Sequence, residues 1–78
     1  MNKERRGKIR DAVTLLDNAF DIIDSCKEAE EDSLYNIEGT PLENTSRYED
    51  LEKSCEYLED ALESIEEAKD KLQEAMYP

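Results

Sequence analysis

Ile9-Arg-Asp-Ala-Val13-Thr-Leu-Leu16-Asp-Asn-Ala-Phe20-Asp-Ile-Ile23 decides the architecture of this chain. Its large apolar side chains recur by steps of four and three, at Ile9, Val13, Leu16, Phe20 and Ile23. An α-helix turns once every ~3.6 residues, so this spacing gathers them into one stripe. The same step continues to Leu34 and Ile37, with Lys27 and Glu30 at the two intervening positions. In heptad terms Val13, Phe20, Lys27 and Leu34 stand at a, while Ile9, Leu16, Ile23, Glu30 and Ile37 stand at d.

The second half repeats the pattern. Tyr48, Cys55, Leu62, Lys69 and Met76 fall at a, and Leu51, Leu58, Ile65 and Leu72 at d. Neither run is interrupted by proline. Between them, Gly39 and Pro41 are helix breakers, and Gly39 suits the left-handed position that ends a helix. Ser46-Arg-Tyr-Glu49 reads as a capping box, in which the serine hydroxyl accepts from the Glu49 amide while the Glu49 carboxylate reaches back. The expectation is one helical-hairpin domain over residues 1–78, with helices at about residues 3–35 and 46–76 and a loop at about 36–45. Each helix of about 30 residues would be roughly 45 Å long.

A short link makes the helices antiparallel. Antiparallel seams set a against d, and pairing Leu34 with Leu51 then places Lys27 by Leu58, Ile23 by Leu62, Phe20 by Ile65, Leu16 by Lys69 and Ile9 by Met76. Every a meets a d along the whole length, which is the strongest sign that the two stripes belong together. Glu30 opposite Cys55, one turn from Lys27, reads either as a polar layer that sets the register or as fraying near the loop.

The first helix has more apolar surface than one partner can cover. Beside its seam it carries Ala12, Ala19, Cys26 and Ser33 at g, and next to them Leu15, Ile22 and Ala29 at c. The second helix has Ser54, Ala61, Ala68 and Ala75 at g, but at c only Tyr57 is apolar. Ala12, Leu15, Ala19, Ile22, Cys26 and Ala29 are therefore expected to form a self-association face, closing a homodimer into a four-helix bundle.

The order of residues also carries a resemblance. Met1-Asn-Lys-Glu-Arg-Arg6, the run Glu28-Ala-Glu-Glu-Asp32 before Tyr35-Asn36, Ser46-Arg-Tyr-Glu-Asp-Leu51 and Leu58-Glu-Asp-Ala-Leu-Glu-Ser-Ile-Glu-Glu-Ala68 resemble short acidic proteins of phages and prophages of Gram-positive bacteria. The resemblance covers most of the chain. It implies a helical hairpin and a mobile-element origin, and it assigns no functional residue.

Composition narrows the function classes. The chain has 78 residues, 22 acidic and 10 basic, no histidine and a net charge of −12. Without histidine there is no Glu-x-x-His pair for a bundle metal site and no base for a catalytic thiol, and Glu30 is the one acid at a seam position. No calcium loop of the Asp-x-Asp-x-Asp-Gly type is present. Cys26 and Cys55 match no zinc or redox spacing and read as small apolar seam residues. No catalytic residue, cofactor or metal is expected, and an enzyme is the least favoured reading. No leader or apolar run long enough for a membrane span is visible, so the expected location is the cytoplasm, or a host's cytoplasm for a phage protein.

Charge then suggests a partner. Strong net acidity argues against direct contact with nucleic acid, where affinity comes from neutralising phosphates, and suits a basic protein; with no apolar span visible, no membrane partner is expected either. The expected partner face is Glu52, Glu56, Glu59, Asp60, Glu63, Glu66 and Glu67 on the second helix. The exception to the acidity is a basic tip, Lys3, Arg5, Arg6, Lys8 and Arg10. The hairpin would fold this tip against Glu66, Glu67, Asp70, Glu74 and the negative end of the second helix. Two functions follow. One is an acidic inhibitor or decoy covering a basic surface of a nucleic-acid-binding protein. The other is a structural or adaptor coiled coil, acting by dimerisation or by seating a partner helix.

Overall fold

The computed structural model describes residues 1–78, with every side chain except that of Asn44. Two α-helices, α1 at Lys3–Ile37 and α2 at Ser46–Met76, are joined through a 3-10 turn at Pro41–Asn44. They lie side by side as an antiparallel hairpin measuring 59 × 17 × 13 Å. The all-α reading of the sequence holds. At about 1.5 Å per residue the 35 residues of α1 account for roughly 52 Å of the long axis.

Local chemistry explains where the helices begin and end. Asn2 caps α1, its side-chain oxygen accepting from the Arg5 amide at 2.8 Å. α1 continues two residues beyond the expected Tyr35, because Ile37 still packs into the seam and is buried. Gly39 then takes φ 75°, the left-handed turn its sequence position foretold. Its amide donates to the Glu43 carboxylate at 2.9 Å. Thr40 donates its hydroxyl to the Ile37 carbonyl and accepts from the Leu42 amide. The loop thus satisfies its backbone from its own side chains.

The capping box does not form. Thr45, not Ser46, is the cap residue of α2, and its carbonyl already accepts the Glu49 amide at 3.4 Å. Ser46 is the first helical residue, so the Ser46–Glu49 pair lies one position out of register with the helix end. The Thr45 hydroxyl turns back to the Leu42 carbonyl instead of capping α2.

The core is thin. Among the described residues Ile37, Leu51, Leu62 and Met76 are the buried hydrophobic ones, and no side chain falls below 2% exposure. Other seam residues, among them Val13, Leu16, Phe20, Ile23, Leu58, Ile65 and Leu72, are half-buried. A pair of helices can cover each stripe on only one side, and a third layer is missing. The seam does not fray near the loop, since Ile37 and Leu51 are both buried there.

Candidate functional site

An antiparallel seam brings the e column of α1 beside the e column of α2. On α1 that column is Asp17, Asp24 and Glu31; on α2 it is Glu52, Glu59 and Glu66. One side of the hairpin is therefore a double file of carboxylates. A shallow groove runs along it, floored by Phe20 and Leu62 and walled by Asp24, Lys27, Glu59, Glu63, Glu66 and Glu67.

Two lysines from the seam relieve this side. Lys69, at an a position, reaches across to Asp17 of α1 and also lies 3.5 Å from Glu66. Lys27 lies 3.4 Å from Glu31. Both keep their stems against the seam, with about a fifth of the side chain exposed, and extend their ammonium groups to the acidic side. The bond to Asp17 chiefly, with the field of Asp17 and Glu66, holds Lys69 above its ordinary protonation range. The bond to Glu31 does the same for Lys27, helped by the fields of Glu31, Glu59 and Asp24.

Of the residues expected at a partner face, Glu59, Glu63, Glu66 and Glu67 come together around the groove. Glu52 and Glu56 continue the same side toward the loop, whereas Asp60 is exposed and does not line the groove. The expectation placed the face on α2 alone and missed Asp17, Asp24 and Glu31. The signal was present: acids at every e position of α1 from residue 17 to 31 must meet the e column of α2 once the helices run antiparallel.

The opposite side of the seam has another character. Here the g columns meet, and they carry Ala12, Ala19 and Cys26 on α1 with Ser54, Ala61 and Ala68 on α2. Leu15 and Ile22 stand on the α1 lip, 69% and 66% exposed, and Tyr57 stands on the α2 lip, 71% exposed. Cys26 and Ala29 are exposed, while Ala12 and Ala19 are half-buried. A hollow lined by Cys26, Ala29, Glu30, Ser54 and Tyr57 has Leu58 as its floor.

Both cysteines are free. Cys26 was expected in the seam but sits outside it, because a g position flanks the contact instead of entering it. Cys55 is half-buried, and burial, with Glu31 and Glu30 nearby, pushes its thiol above the usual range. A thiol so held stays protonated at neutral pH and is a poor nucleophile.

The basic tip meets the negative end of α2, as expected, but through a carbonyl and a ring and not through the acids there. Arg6 donates through Nε to the Met76 carbonyl at 3.0 Å, and its guanidinium lies 5.4 Å from the centre of the Tyr77 ring. Arg10 donates to the Tyr77 hydroxyl at 2.7 Å. The tip thus caps the negative end of α2 through a carbonyl and an aromatic ring. Glu66 pairs with Lys69 and Glu74 with Lys71, both within α2. Arg6 falls in the a column one heptad before Val13, which aims it along the seam at the last turn of α2.

Among the described residues no group of three acidic, cysteine or histidine side chains is placed to hold a metal ion. No helix is long and apolar enough to cross a membrane. Fold and faces together define an antiparallel helical hairpin with one carboxylate side and one small-residue side. Comparison with known protein families, curated proteins and solved structures finds no match for the chain.

Proposed function

We propose that this hairpin is a non-enzymatic interaction module whose carboxylate side covers a basic surface of a nucleic-acid-binding protein, as an inhibitor or decoy. The observation that carries the reading is the placement of charge: six acids of the two e columns stand in a double file on one side of the hairpin. A row of fixed carboxylates along a hairpin 59 Å long presents charge to a basic groove much as a phosphate backbone does. The half-buried Phe20 ring on the groove floor adds an apolar contact that a polyanion lacks. The likeness of several segments to short phage proteins supplies a setting, that of a host protein blocked by a mobile element.

The test is competition. DNA-binding proteins from the source organism, retained on heparin, are loaded with labelled duplex, and the hairpin is added at low and at high salt. Displacement of the duplex at low salt, lost in a Glu59→Lys, Glu63→Lys, Glu66→Lys variant, is the expected result. Absence of displacement by the wild type, or equal displacement by the variant, overturns the proposal.

A further inference from the structure

We infer that the small-residue side, built by α1 and α2 together, is the docking surface for a second copy of this chain. In that dimer Ile22 of each copy seats in the hollow between Cys26 and Tyr57 of the other. This extends the sequence expectation, which used α1 alone, and it is independent of the carboxylate side.

Charge restricts the occupant. Of the 22 acidic residues only Asp50 falls in the g and c columns that make up this side. The same columns hold Arg5, Lys8, Arg47 and Lys71 near the ends of the hairpin. With Glu30, a seam residue that lines the hollow, this side carries two carboxylates along its length, Asp50 and Glu30, against the double file on the other, so two molecules of net charge −12 meet here with the least repulsion. Each hairpin is at least 13 Å across. In a back-to-back pair the two carboxylate sides therefore stand farther apart than the Debye length of about 8 Å at physiological salt.

Shape and area agree. The projecting Leu15 and Ile22 and the recessed Cys26–Tyr57 hollow occur on the same surface, displaced along it. A two-fold axis between a knob and a hollow makes each copy fill the other, which is what an isologous contact requires. The side measures about 59 by 17 Å, on the order of 1,000 Å², against the roughly 800 Å² per partner of a standard interface. The thin core adds the driving force, since most seam residues remain half-exposed in one hairpin.

Sedimentation equilibrium of the full chain tests this, with helicity checked by circular dichroism. The wild type is expected to dimerise at micromolar concentration. Ile22→Glu and, on the other helix, Ala61→Glu should each weaken the dimer by roughly a hundredfold or more, while Glu59→Gln on the carboxylate side leaves it no weaker. With the axis between Ile22 and the hollow, the two Cys26 thiols lie near each other. A short bismaleimide should therefore link Cys55→Ser into a covalent dimer through Cys26, a readout that needs no change in the interface. A wild type that stays monomeric at high micromolar concentration overturns the inference. So does a dimer that survives both glutamate variants, or one in which Cys26 does not cross-link.

Discussion

Lys69 of α2 bridges the seam to Asp17 of α1, so that a cation occupying a core column neutralises the acidic side from beneath. Lys69→Met keeps most of the apolar stem and removes the charge, leaving Asp17 and Glu66 to face each other across the helices. The thermal midpoint of Lys69→Met is expected to fall at low salt, and the deficit should shrink near 1 M salt, where the Debye length is about 3 Å. An unchanged midpoint at low salt would show that the bridge contributes nothing measurable, as many surface pairs do. In the wild type itself, added salt should raise the midpoint, because like charges such as Glu52–Glu56 and Glu59–Glu63 stand one turn apart on α2.

Alkaline pH should destabilise the hairpin. Cys55 is raised above its ordinary 9.0 mainly by burial, and Tyr48 above 10.0 by burial and then Glu52. Lys27 and Lys69 are raised above 10.5 mainly by their bonds to Glu31 and Asp17. In all four the folded state holds its proton more tightly than the unfolded chain. Their contribution is therefore fully present below pH 9.0 and is lost as pH rises, first through the thiol and last through the lysines. Thermal unfolding followed from pH 8 to about pH 11 should show a steady fall, and Cys55→Ala should move its onset upward. A midpoint constant across that range would contradict the assignment.

Leu62 is expected to matter more than Phe20. The sequence marks both as seam residues, but Leu62 is 7% exposed while Phe20 is half-buried on the groove floor. Leu62→Ala should cost about 2–4 kcal/mol, near the range for buried leucine, and Phe20→Ala about 2 kcal/mol, below the 3–5 kcal/mol of a fully buried ring. Urea titrations of the two variants give the order directly.

The two glycines should respond with opposite signs. Gly7 lies inside α1 with open space where a β-carbon would stand, so Gly7→Ala should stabilise by about 0.5–1 kcal/mol through helix propensity. Gly39 has equal space but φ 75°, and Gly39→Ala should cost about 1–2 kcal/mol from backbone strain alone. Equal effects at the two positions would mean that the left-handed turn is not maintained in solution.

What the sequence determined by itself was whatever repeats within one helix. The four-and-three spacing from Ile9 to Ile37 and from Tyr48 to Met76 names the helices and their inward stripes, because a residue's place on a helix depends only on local geometry. Gly39 and its left-handed φ were legible for the same local reason. The tertiary structure decided what depends on groups brought from far apart. It carried α1 on to Ile37, because that side chain finds cover against α2. It moved the cap of α2 to Thr45, whose carbonyl accepts the Glu49 amide that Ser46 was expected to hold. It turned Arg6 to the Met76 carbonyl in place of the acids of α2. Above all it assembled one carboxylate side from Asp17, Asp24 and Glu31 with Glu52, Glu59 and Glu66. These two files are separate in the chain and become one surface only when an antiparallel seam sets e against e.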